Sequence, residues 1–143
     1  MSITVTEQTA PATPATDKVV VYAKAGGGLY IKNDAGEEIE LPVTVTAGIT
    51  AFAGGGQGSA TELTATLNEV STVATTADSV KLDAAVAGYT KRRTIVNNGA
   101  NACDVFPASG DNLGAGVDTA ASLAAGANIT YASYDATNWF AVT

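Results

Sequence analysis

Between Thr90 and Phe106 two runs of strand-forming residues, Thr90 to Asn97 and Ala100 to Phe106, meet at Asn98-Gly99. Asn-Gly between extended runs is the strongest short-range hairpin signal, because a type I′ turn needs positive φ at both central residues. The sequence therefore predicts an antiparallel hairpin here. Similar short runs rich in Val, Ile, Thr and Tyr, broken by Gly, Asn, Asp and Pro, recur along most of the chain. That pattern predicts an all-β protein, and none of its strands carries the usual equipment of an enzyme.

Three segments follow from the punctuation. Residues 1–17 carry Thr, Ala, Pro11 and Pro14 with no hydrophobic period, which predicts an extended arm that gains order only by lying along another surface. In an extended arm Ile3 and Val5 point the same way and suit addition to a neighbouring sheet edge. Residues 18–53 read as a small β-meander: Val19 to Tyr22, a glycine turn at Gly26 to Gly28, Leu29 to Lys32, a turn at Asn33 to Gly36, and Glu37 to Leu41, with Val43 to Thr46 and Ile49 to Phe52 beyond. Leu29, Ile31, Ile39 and Leu41 are its expected buried face.

Gly54-Gly55-Gly56 marks the expected boundary with a main domain, 54–143. There, Leu63, Ala65 and Leu67 alternate with Thr64, Thr66 and Asn68, with a turn or bulge expected near Asn68-Glu69. Ser79 to Leu82, Thr90 to Asn97, Ala102 to Phe106, Asn128 to Tyr134 and Asn138 to Val142 supply five more strands. Spacing near ten residues predicts a β-sandwich or jelly-roll-like domain. The alanine-dense stretch Asp118 to Ala125 is bracketed too tightly by Gly114, Gly116 and Gly126 to favour a helix.

Of the 143 residues 46% are hydrophobic, but alanine supplies much of that and only 6% are aromatic. Burial stabilises by about 25 cal/mol per Å² of apolar surface, so an alanine-rich core gains less per residue. Partner subunits are expected to cover what one chain cannot, as a trimer before a dimer. A net charge of −7 argues against nucleic acid, whose phosphates demand clustered cations. No apolar run approaches the roughly 18 residues of a membrane helix, and the first residues lack the basic and apolar regions of a secretory leader. Neither a membrane partner nor secretion is expected.

Chemistry finds little footing. The chain has no histidine, which removes the commonest general base and transition-metal ligand, and its single cysteine, Cys103, sits on a strand where a small buried hydrophobe is the ordinary role. Neither glycine cluster is followed by Lys-Ser or Lys-Thr, so a phosphate loop is not indicated. Glu37, Glu38 and Glu40 read as a solvated edge, and no carboxylate pair stands out for glycoside hydrolysis. No cofactor, metal or catalytic residue is expected. Lys91-Arg92-Arg93 is the one concentrated basic patch, and it suits electrostatic docking on an acidic partner surface. Trp139 and Phe140 are candidate core or intersubunit anchors. Tyr30, Tyr131, Tyr134 and Trp139 would serve the competing role of stacking on sugars.

The run Gly54 to Gln57 with Ala60 to Thr64, then Val70 to Ala74 and Asp78 to Leu82, resembles a pattern in small structural proteins of tailed bacteriophages. Ile95 to Asn101 with Val105 to Asp111, and the closing Asn138-Trp139-Phe140, share that resemblance. Val21 to Ala23, Gly28 to Lys32 and Asp34 to Gly36 are similar to short β units of fibre and head-attached proteins. The resemblance implies a virion structural protein, made in the host cytoplasm and placed on the outer capsid surface, that cements neighbouring major capsid protein subunits. It also allows a tail- or head-fibre module that recognises host glycans.

Overall fold

In the computed structural model, residues 7–24, 29–41, 44–87 and 91–142 are described. Within them the chain forms strands, turns and bends, with no helix among the described residues. It divides into two compact units, Met1–Val43 and Thr44–Thr143. The division falls ten residues before the boundary read from Gly54-Gly55-Gly56. The reason is pairing: Val45–Thr50 lies alongside Leu67–Thr72 in the second unit instead of extending the meander.

The first unit is one four-stranded sheet, built from β1 (Glu7–Gln8), β2 (Val20–Lys24), β3 (Leu29–Lys32) and β4 (Glu38–Leu41) in that spatial order. β2, β3 and β4 form the expected antiparallel meander, with Tyr22 opposite Tyr30 and Ile31 opposite Ile39. β1 joins β2 in parallel, Glu7 beside Ala23 and Gln8 beside Lys24. The segment after it stays on its own sheet: Lys32 Nζ donates to Pro11 O at 2.9 Å, and Thr13 packs close to Gly36. From Glu7 onward, therefore, the segment expected to be an extended arm contacts strands of its own chain. Ile3 and Val5 lie outside the described residues.

Among its described residues the second unit holds nine strands, β5 (Val45–Thr50), β6 (Thr61–Leu63), β7 (Leu67–Thr72), β8 (Asp78–Leu82), β9 (Arg92–Asn97), β10 (Cys103–Phe106), β11 (Ala121–Leu123), β12 (Asn128–Ser133) and β13 (Trp139–Val142), with isolated bridges such as Phe52 to Ser79 outside them. From β5 to β10 the chain alternates between two sheets. β5, β7 and β9 stack in parallel in one; β6, β8 and β10 stack in parallel in the other. β11 then closes the second sheet antiparallel to β10, while β12 and β13 extend the first antiparallel to β9. The sheet orders are β13-β12-β9-β7-β5 and β11-β10-β8-β6.

Val70, Ile95, Tyr131 and Trp139 from the five-stranded sheet share one core with Leu63, Val80, Leu82, Cys103, Val105 and Leu123 from the four-stranded sheet. This is a two-sheet β protein, but its parallel stacking differs from a jelly roll, whose strands run antiparallel. Asn98-Gly99 accordingly closes no hairpin. β9 and β10 lie in different sheets, and neither Asn98 nor Gly99 has positive φ.

The Asn97 to Asn101 segment is a corner that stacks on the corner of the preceding coil. Buried Asn97 donates through Nδ2 to the carbonyls of Asn101, Leu123 and Ala124 and accepts from the Gly99 N–H. Asn101 Nδ2 donates to the carbonyls of Val73 and Ala74, which turn the chain from β7 towards β8. Side-chain amides thus satisfy backbone acceptors that sheet pairing leaves open at the bend.

The break between β6 and β7 falls at 64–66, while the turn or bulge expected near Asn68-Glu69 is met by a register shift of β7 against β5 between Asn68 and Val70. It reverses the alternation, so Asn68 and Val70 turn inward and Leu67 does not join the core. In the alanine-dense stretch the structure forms the short strand β11, which the sequence reading did not anticipate.

Candidate interaction surface

Alternation along β13 sends neighbouring aromatic side chains to opposite faces. Trp139 enters the core, 2% exposed, with Nε1 donating to Asp111 Oδ2 at 3.4 Å. Phe140 turns outward and is 44% exposed. On β12 the core side chain is Tyr131, so Ala132 shares the outer face with its register neighbours Phe140 on one side and Arg92 on the other. Tyr134 follows β12, is 60% exposed, and sets its ring 5.7 Å from that of Phe140 at an interplanar angle of 53°. This tilted contact is a favoured aromatic geometry. Arg92, Phe140 and Tyr134 therefore occupy one outer region of the five-stranded sheet, around an Ala132 that is itself fully covered.

The three residues of the basic run have different fates. Arg93 alternates inward from Arg92 and grips Asp83 with two hydrogen bonds, Nε to Oδ1 at 3.0 Å and Nη2 to Oδ2 at 2.8 Å. Lys91 Nζ pairs with the same Asp83 and donates to Ala84 O at 2.9 Å. All three charged side chains in this cluster are largely shielded from solvent. Arg92 stays exposed, with no ion pair to a described residue. The docking patch expected from Lys91, Arg92 and Arg93 thus contracts to one outward cation; Lys91 and Arg93 tie the end of β9 to the segment after β8.

Two acids of this unit, Glu69 and Asp135, are engaged by hydrogen bonds within it. Glu69 accepts from the Gly48 N–H at 2.7 Å and from Asn98 Nδ2 at 3.1 Å; these bonds, the first foremost, hold its carboxyl below the usual range. Asp135 accepts from the Thr137 and Asn138 N–H groups and the Asn138 amide, and is lowered in the same way. Its hydrogen bonds fix the loop that leads from Tyr134 back to β13.

A cleft of about 480 Å³ lies elsewhere on this unit, lined by Gln57, Glu62, Lys81, Asp83 and Ser109 among others. Among the described residues its lining holds no aromatic side chain. Cys103 is buried in the core, and burial pushes its thiol up to about 11, which opposes thiolate chemistry. Among the described residues no three Cys, Asp or Glu side chains gather as a metal site.

Comparison with protein-family models, curated proteins and solved structures finds no match. The assignment of roles therefore rests on geometry. Of the sequence-derived anchors, Phe140 lies on the outer surface and Trp139 in the core. Of the aromatics considered for sugar stacking, Tyr131 and Trp139 are buried, Tyr30 is half-buried beneath Lys24, whose Nζ lies 4.9 Å from the ring centre, and Tyr134 is exposed. The sequence signal for the Tyr134–Phe140 contact is the Asp135 to Asn138 turn that brings β13 back beside β12.

Proposed function

We propose that this chain is a virion structural protein of the capsid-decoration type, which braces neighbouring major capsid protein subunits and performs no chemistry of its own. The observation that carries the reading is the exposed Tyr134–Phe140 pair beside outward Arg92 on the five-stranded sheet. Tyr and Arg are enriched where protein interfaces concentrate their energy, and exposed aromatics confer little on an isolated subunit. The resemblance of the strand and corner sequences to small phage structural proteins supplies the setting.

Cementing of this kind works by mass action. A protein that binds only the assembled shell stabilises it by about 2.7 kcal/mol when its free concentration is a hundredfold above Kd. Several weak contacts per oligomer reinforce one another through effective concentration.

The test is electron microscopy and heat challenge of phage particles with wild-type protein, without it, and with Phe140→Ser or Tyr134→Ser. The expected result is density on the outer shell, lost in the variants, together with earlier heat rupture of bare particles. Density at a fibre tip, or equal heat resistance with and without the protein, overturns the reading. The same Tyr134–Phe140 pair favours a second reading, a fibre module that stacks on host glycan. Glycan-array binding that disappears on replacement of either ring would select it.

A further inference from the structure

Asn98-Gly99 is the one place in the chain where glycine follows asparagine, and that pair has a chemistry of its own. A glycine nitrogen, with no side chain beside it, can attack the carboxamide carbon of the preceding asparagine, closing a five-membered succinimide and expelling ammonia. Water then opens the ring to aspartate, or to isoaspartate, whose main chain runs on through the former side-chain carbon. Another residue at 99 would slow the attack, but packing forbids it: a Cβ there falls 2.6 Å from Val73 Cγ2. The labile pair is therefore imposed by the contact between two corners.

In the folded corner both reacting groups are committed. The buried Gly99 N–H donates to Asn97 Oδ1 at 3.0 Å, and Asn97 is anchored in turn by the carbonyls of Asn101, Leu123 and Ala124. Asn98 is exposed, yet its Nδ2 donates to Glu69 Oε1 at 3.1 Å and its N–H donates to Val70 O at 2.8 Å. Ring closure removes the proton from the Gly99 nitrogen and carries Nδ2 away in ammonia. Both side-chain hydrogen bonds must therefore break before Asn98 reacts.

We infer that Asn98 is a modification site gated by this corner: it is spared while the corner is closed, is converted through a succinimide to aspartate or isoaspartate once the corner opens, and then weakens the closed form. Aspartate at 98 brings a second carboxylate against Glu69 and removes one of its donors. Glu69 also accepts from the Gly48 N–H at 2.7 Å, where β5 is irregular, so the strain reaches the neighbouring strand. Isoaspartate adds a main-chain carbon directly before Gly99, where the Val73 backbone nitrogen already lies 2.7 Å from a single added carbon. Because ammonia is lost, the change is permanent, and a chain that has opened stays marked. The site lies at a corner and does not involve Tyr134 or Phe140, so it stands apart from the virion reading.

The experiment incubates the full wild-type chain at mildly alkaline pH in native buffer and in a series of guanidinium concentrations, with peptide mass mapping and enzymatic detection of isoaspartate. In full denaturant Asn98 should react ahead of every other asparagine. In native buffer it should react at least roughly a hundredfold more slowly, with the rate rising through the series in step with the open fraction. Native modification within about tenfold of the denatured rate overturns the gate. Asn98 reacting no faster than the other asparagines in denaturant overturns the site. Asn98→Asp, a stand-in for one product, should lower the guanidinium midpoint, and Glu69→Gln should recover most of that loss relative to Glu69→Gln alone. An Asn98→Asp chain as stable as wild type, or no recovery, overturns the weakening assigned to the product. None of these outcomes bears on particle binding through Phe140.

Discussion

A side chain at position 99 has nowhere to go: a Cβ built on Gly99 falls 2.6 Å from Val73 Cγ2 and 2.7 Å from the Val73 backbone nitrogen. Two successive corners of the second unit touch at this point, so the requirement for glycine comes from close approach and not from φ. Gly99→Ala should destabilise the protein by about 2–3 kcal/mol, because the obstructing atoms include backbone that cannot swing aside. Gly58→Ala, with open space around the new methyl and no positive φ, should shift the urea midpoint by less than about 0.5 kcal/mol equivalent. Equal effects for the two would refute this account of the corner.

The Asp83 cluster separates Arg93 from Arg92. Removing Asp83 strands two shielded cations, so Asp83→Ala should cost roughly 2–4 kcal/mol, and Arg93→Ala somewhat less. Arg92→Ala should fall within about 0.5 kcal/mol of wild type while weakening partner binding. A double-mutant cycle on Asp83 and Arg93 in urea should return a coupling of about 1–3 kcal/mol. Additive single effects would show that the ion pair does not tie the end of β9 as the geometry indicates.

Acid should weaken the second unit through carboxylates held in turns. Asp78 is lowered chiefly by the Thr75 N–H and hydroxyl, Asp118 by the Gln57 amide and the Gly110 N–H, and Asp135 by the Thr137 N–H and the Asn138 amide. Each folded value lies below the unfolded one, so their contribution is present above about pH 4 and is lost as pH falls through the lowered values. Urea midpoints measured from pH 7 to pH 2.5 should drop below about pH 4. Asp78→Asn should flatten that drop; an unaltered slope would assign the acid sensitivity to other groups.

Cys103 gives the opposite sign. Its thiol rises from an ordinary 9.0 to about 11 because burial disfavours the thiolate. The resulting stability is present below pH 9 and is lost as pH rises from 9 towards 11. At pH 8 a thiol reagent should react only as fast as the unit opens, and the rate should rise with urea. Rapid labelling in native buffer would place Cys103 outside the core.

Strand positions were widely legible because each strand announces itself through its own residues. Val20 to Lys24, Leu29 to Lys32, Asp78 to Leu82, Arg92 to Asn97 and Asn128 to Ser133 all carry β-branched or aromatic side chains between turn formers. The contrast of Trp139 with Phe140 follows from the period of two. By contrast, the aliphatic stripe of Leu29 and Ile31 suggests a buried face, yet among the described side chains of this sheet Tyr22 on the other side is the fully enclosed one, beside ion pairs from Lys24 and Lys32 to Glu38 that local alternation does not reveal.

What the sequence determined by itself was local: all-β character, the meander of the first unit, the glycine and asparagine bends, and the scarcity of catalytic groups. Only the tertiary structure decided which strand lies beside which, that β5 to β10 stack in parallel, that Asn98-Gly99 turns between sheets, and that Lys91 and Arg93 close on Asp83. The physical reason is range. Turn and strand preferences act over a few neighbouring residues, whereas parallel pairing and ion pairs across the fold join residues a whole coil apart, and alternation fixes a side chain's face without naming its neighbour.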